Sequence, residues 1–152
     1  MPNRVKLEDL LDVLETVLAD GGEISFTPHG NSMRPMLISG RDEITLKKPQ
    51  GTLKKYDLPL YRRANGHFVL HRIVGKNKDG YIMRGDNQLY KEYGIKDENI
   101  VGVVVAVTRD GKQYKVTDFS YKLYCLARCN FVTILLRKIK CKIVGIIKKS
   151  KV

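Results

Sequence analysis

Leu7, Leu10, Leu11, Leu14, Val17 and Leu18 recur at intervals of three and four near the start of the chain. Glu8, Asp9, Asp12, Glu15 and Asp20 fall mostly on the other side. This spacing predicts an amphipathic helix over 6–19. Gly21-Gly22 ends it, because a helix commonly closes on a residue with left-handed backbone. From residue 23 the pattern changes to short runs rich in Val, Ile, Tyr and Thr. Strands are predicted over 23–27, 43–47, 58–62, 67–74, 81–84, 100–108 and 113–117. Asn65-Gly66, Asp79-Gly80 and Asp110-Gly111 mark tight turns between them. The run Val101–Val107 is apolar on both faces apart from Gly102, as a central strand requires. Asp57 and Pro59 bound the strand that follows a lysine-rich loop at 47–55.

Helical spacing returns after Asp118, a candidate N-cap. Val132, Leu135, Leu136, Ile139, Ile143, Ile146 and Ile147 form one apolar stripe, flanked or opposed by Arg137, Lys138, Lys140, Lys142, Lys148 and Lys149. The chain thus divides into an N-terminal amphipathic helix (1–22), a mainly β domain (23–117) and a basic helical tail (118–152).

At 152 residues the chain suits one domain with a real core, burying roughly 70% of its unfolded surface. Its net charge of +12 is unevenly spread. Residues 118–152 carry nine Lys/Arg against one Asp, or +8, and residues 1–117 carry nineteen against fifteen acids, or +4. The tail is therefore the cationic part. A basic amphipathic helix of this kind fits an anionic membrane surface, here through 131–149; the alternative is a helix packed on the body with a solvated basic face. Nucleic acid is not the expected partner, since no helix-turn-helix, ribonucleoprotein strand or zinc motif accompanies the charge. Cys125, Cys129 and Cys141 all lie in the tail, odd in number and without metal-ligand spacing, and read as reduced thiols. No cofactor or metal motif is present. No secretory signal and no run of about 18 apolar residues is visible, which predicts a cytoplasmic protein held peripherally at a membrane.

Three short stretches carry the candidate chemistry. In Gly30-Asn31-Ser32-Met33-Arg34-Pro35, Gly30 allows close approach of a substrate, Met33 anchors the loop and Pro35 stiffens it. A serine in such a loop is a candidate nucleophile. In Phe68–Val74, alternation puts Val69, His71 and Ile73 on one face and Phe68, Leu70, Arg72 and Val74 on the other. A histidine among β-branched neighbours needs a partner, and when neutral it accepts a proton from a serine. His29 and His67 sit in turn-like settings and read as surface residues. Gly85-Asp86-Asn87 offers an acid in a tight turn, and Glu92 is a second acid six residues on. Either could orient the imidazole and stabilise its charged form.

Taken together, Gly30-x-Ser32-Met33-x-Pro35, Leu70-His71-Arg72-Ile73-Val74, Gly85-Asp86-Asn87 and Ile100-Val101-Gly102-Val103 resemble, in order and spacing, the boxes of the type I signal peptidase superfamily, which also holds self-cleaving repressor proteases. The resemblance covers roughly 23–107. A histidine at position 71, where most bacterial members have lysine, is similar to the endoplasmic-reticulum and archaeal branch. The resemblance implies a mostly antiparallel β domain with a hydrophobic substrate groove. It also implies Ser32 as nucleophile, His71 as general base, and Asp86 or alternatively Glu92 as third member. The Ser32 amide, with help near Gly30, would form the oxyanion hole, and Gly30, Asn31, Met33 and Pro35 would border the substrate. The expected activity is a serine endopeptidase that cuts leader or signal segments of peptides near small side chains. An amphipathic helix stands where signal peptidases carry a membrane span, which points to a protease apposed to the membrane or recruited to it. The competing expectation is a non-catalytic peptide-binding or membrane-associated scaffold of the same fold.

Overall fold

A computed structural model describes residues 11–129, 133–136 and 139–143. The first half of the expected N-terminal helix, including Leu7, Leu10, Glu8 and Asp9, lies outside the described residues, as do Val132, Arg137, Lys138, Ile146, Ile147, Lys148 and Lys149 of the tail.

The fold is mainly β, with antiparallel sheets and a few short helices. Helix α1 (Leu11–Ala19) leads into β1 (Glu23–Phe26), β2 (Glu43–Lys47), β3 (Pro59–Arg62), β4 (Phe68–Leu70), β5 (Arg72–Asn77), β6 (Gly80–Arg84) and β7 (Glu92–Ile95). A single 3-10 turn at Asp97–Asn99 precedes β8 (Ile100–Arg109), β9 (Lys112–Lys115) and helix α2 (Phe119–Cys129). Residues 133–136 and 139–143 are also helical. Among the described residues no helix is long and apolar enough to cross a membrane.

One sheet runs β1-β2-β8-β3-β4, with β9 also paired to β8, and the other runs β5-β6-β7. Strand β8 is central, as its two-sided apolar run predicts. It pairs with β2 through Val103–Thr108, with β3 through Ile100–Val103 and with β9 through Ala106–Arg109. Asp110-Gly111 turns the chain between Arg109 and Lys112, which face each other across the hairpin.

Two clusters fill the interior. The larger gathers Leu14 and Leu18 of α1, Met33, Met36 and Leu37 of the serine loop, Ile44, Leu46, Leu60, Val104 and Val107 of the first sheet, and Leu58 just before β3. The smaller joins Tyr61, Ile73, Tyr81 and Met83. Helix α1 lies against β8 where Gly102 leaves room: a Cβ there would stand 3.0 Å from Leu18 Cδ1. Helix α2 adds Cys125, with Tyr121 and Tyr124 partly buried beside it.

The expected strand 67–74 is broken at His71. Leu70 still pairs with Leu60 in the first sheet, whereas Arg72 pairs with Arg84 in the second. The predicted faces survive the break, since Phe68 and Leu70 pack on the larger cluster while Val69 and Ile73 join the smaller. Each sheet claims one end of the apolar run, and His71 is left at the junction. Strand β7 was not expected from the sequence. It is only four residues long, with Glu92 at its start and Gly94 inside it, and it is held by its pairing to β6.

Candidate active site

A cavity of about 270 Å³ opens at the junction of the two sheets. Ser32 and His71 both line it, although 39 positions separate them in sequence. Gly30, Met33 and Leu37 of the serine loop, the three residues of β4 and Arg63 complete much of the wall.

The serine loop is held from both sides. Met33, Met36 and Leu37 are buried, as the anchoring role of Met33 predicts, and the Arg34–Pro35 peptide bond is cis. Asp42 fixes its far end by accepting the Ile38 amide at 2.9 Å while paired with Arg41 and Arg109. On the other side, the Asn87 amide donates to the Ser32 carbonyl at 2.7 Å, and Asn87 Nδ2 donates to the Asn31 carbonyl at 3.2 Å. Gly85 is needed for this contact, because a Cβ on it would stand 2.7 Å from the Ser32 carbonyl oxygen. Thus the Gly85-Asp86-Asn87 turn is a latch on the serine loop.

His71 is 2% exposed. Its Nδ1 lies 3.0 Å from Glu92 Oε1 and 3.2 Å from the Tyr61 hydroxyl. A carboxylate accepts only, so Nδ1 carries the proton and Nε2 keeps its lone pair. Glu92 is in turn held by Arg63, whose Nε donates to Oε2 at 2.8 Å and whose second guanidinium nitrogen donates to Oε1. Burial pushes the His71 pKa down, and although Glu92 acts the other way the net direction is below 6.5. Burial raises the Glu92 carboxyl, but hydrogen bonds from Arg63 and Tyr61 outweigh it and hold its pKa below 4.5. At pH 7 the site therefore pairs a neutral imidazole with an ionised carboxylate.

Of the two acids the sequence offers, Glu92 faces the histidine. Asp86 does not: it is buried against Arg72, which donates to it through Nε at 2.8 Å and through a second nitrogen at 2.7 Å. Tyr124 of α2 donates to the same carboxylate at 3.0 Å. The reason lies in the strand alternation, which turns Arg72 away from His71 and toward the Asp86 turn. Arg72 also donates to the Tyr121 hydroxyl at 2.7 Å and approaches Cys125 Sγ at 3.0 Å, so α2 is clasped to this pair. Asp86 is thus a structural anchor beside the latch.

The expected substrate-bordering residues separate in the same way. Gly30 and Met33 line the cavity, whereas Asn31 and Pro35 are exposed outside its wall. Gly30 has φ +125°, which favours glycine, but its amide donates to Ser39 Oγ at 3.0 Å and is not free for an oxyanion. His29 and His67 are exposed, as read, although His29 also borders the cavity. Tyr61, Arg63, Ser39, Gln88 and Tyr90 were not singled out from the sequence. Tyr61 falls inside the predicted strand 58–62 and Arg63 just beyond it, and no local pattern distinguishes either.

Among the described residues Ser32 Oγ makes no hydrogen bond, so the hydroxyl and the imidazole share the cavity without one between them. No three His, Cys, Asp or Glu side chains converge as metal ligands among those residues. Cys125 and Cys129 are free thiols pushed upward in pKa by burial, Cys125 to about 11. No protein-family model matches the sequence, and no curated protein matches it.

Proposed function

We propose that this chain is a serine endopeptidase of the signal-peptidase-like kind, with Ser32 as nucleophile, His71 as general base and Glu92 as the acid that orients it. The observation that carries this reading is the Glu92–His71 contact of 3.0 Å at the wall of a cavity that Ser32 also lines. A carboxylate on Nδ1 leaves Nε2 as the basic nitrogen, which is the arrangement general-base catalysis on a hydroxyl needs. The two antiparallel sheets and the four sequence boxes are compatible with the β domain that the resemblance implies.

In the proposed reaction Ser32 Oγ attacks the scissile carbonyl carbon while His71 Nε2 takes its proton. The C–N bond breaks, His71 returns the proton to the leaving amine, and an acyl ester remains on Ser32. Water then cleaves that ester with His71 again as base. Glu92 stabilises the imidazolium formed in each half. The Ser32–His71 contact closes on substrate binding, as catalytic hydrogen bonds commonly tighten in the bound complex. Strand β4 pairs only with β3 among the described residues, and its residues wall the cavity, so an extended peptide fits beside it.

The test is digestion of a proteome-derived peptide library. The wild-type chain should create new peptide termini, and Ser32→Ala and His71→Ala should create none while keeping the wild-type circular dichroism. Rates should fall on acidification only below about pH 6.5, since the His71 pKa lies under its ordinary value. Full turnover by Ser32→Ala would exclude the mechanism. The second reading, a peptide-binding groove without hydrolysis, draws on the missing Ser32–His71 hydrogen bond. It leaves the Glu92–His71 pair without a task, and library peptides bound but never cut would support it.

A further inference from the structure

Helix α2 has two apolar faces. Its inward face is used: Tyr121 and Tyr124 reach Arg72 and Asp86, and Cys125 is buried between them. Phe119, Leu123 and Leu126 stand four and three positions apart, which places them on the opposite face. They are 80%, 54% and 55% exposed. A helix that only packed on the body would spend its apolar side chains there and turn polar ones to water. This one turns three large apolar side chains outward, and Leu135, Leu136, Ile139 and Ile143 are exposed as well.

Charge says what covers them. After Asp118 the chain has no acidic residue, and nine Lys/Arg follow it. An apolar protein partner would not call for that excess. We infer that α2 and the helical segments 133–136 and 139–143 lie in the interface of an anionic lipid bilayer, with Phe119, Leu123 and Leu126 inserted and Lys122, Lys140 and Lys142 at headgroup level. Apolar insertion and attraction to anionic headgroups act together in such helices. Because the inward face is clasped to Arg72 and Asp86, the bilayer holds the whole β body and not a loose tail. The inference is independent of the peptidase reading.

The test uses the full chain with vesicles of equal phosphatidylglycerol and phosphatidylcholine, and with phosphatidylcholine alone. The chain has no tryptophan, so Leu126→Trp supplies a single emission reporter. Co-sedimentation with the anionic vesicles, a blue shift of that reporter and weakening by salt are expected. Neutral vesicles should bind at least tenfold less. The Phe119→Ser/Leu123→Ser/Leu126→Ser variant should lose at least tenfold in anionic-vesicle binding. All three side chains are exposed, so its unfolding midpoint should match the wild type, which separates lost binding from lost fold. Any of three results would overturn the inference. One is no vesicle binding. Another is a dimer in light scattering that the triple variant abolishes without any vesicle effect. The last is tight binding to a mixed-sequence DNA duplex that the triple variant leaves unchanged, with vesicles ignored.

Discussion

His71 turns Nδ1 to Glu92 and Tyr61, and the proposed mechanism uses Nε2 as the base. This division makes the two acids separable by experiment. Glu92→Gln keeps the size and loses the charge that stabilises the imidazolium, so peptide turnover should drop by roughly a hundredfold or more while the unfolding midpoint changes little. Asp86→Asn should do the reverse in emphasis. It leaves the buried Arg72 without its counter-ion, and stability should fall by about 3 kcal/mol in urea titration. If Asp86→Asn abolished turnover at full stability and Glu92→Gln were silent, the assignment of the third member would be reversed. The sequence brought both acids forward and put Asp86 first, on the Gly85-Asp86-Asn87 box, whereas the structure sets Glu92 beside the imidazole. Choosing required knowing that β7 pairs with β6 beside the histidine, and β7 has little strand signal of its own.

Among the elements, the Gly85-Asp86-Asn87 turn and the broken strand around His71 matter most. The turn grips the serine loop through the Asn87 amide and depends on the bare Cα of Gly85. Gly85→Ala should push the Ser32 carbonyl away and misplace the hydroxyl. A displacement near 1 Å can cost about a hundredfold in rate. Kinetics on a library-derived substrate should show that loss in kcat, with near-native circular dichroism; an unchanged kcat would show that the latch does not position the serine. The alternation in 68–74 was legible because each face keeps its own apolar cluster. The break at His71 was not, since it follows from two sheets competing for one run. Helix α1 was legible from its spacing over 11–19, but the clasp of α2 on Arg72 was not, because tyrosines at helical spacing carry no mark of a buried partner.

For the molecule as a whole, the serine loop is tied to the sheets by buried charge as well as by apolar packing. Asp42 is fully buried and bridges the loop end to Arg109 on β8. Burial alone would raise its pKa, but hydrogen bonds from Arg41, the Ile38 amide and Arg109 hold it down at about 2. The folded value lies below the ordinary 3.8, so this contribution is present above pH 3.8 and is lost as pH falls toward about 2. Asp42→Asn should cost roughly 1–2 kcal/mol at pH 7, allowing for screening at the two partly exposed arginines. In urea titrations that deficit should shrink over the same acid range. A deficit independent of pH would show that packing rather than charge carries the tie.

The central claim is that Ser32 is an activated nucleophile with His71 as its base. Reaction with a serine-directed fluorophosphonate, read by intact mass and peptide mapping, tests it most directly. The account predicts a single adduct on Ser32, absent from both Ser32→Ala and His71→Ala. No adduct on the folded wild-type chain, or one that persists in Ser32→Ala, would contradict it.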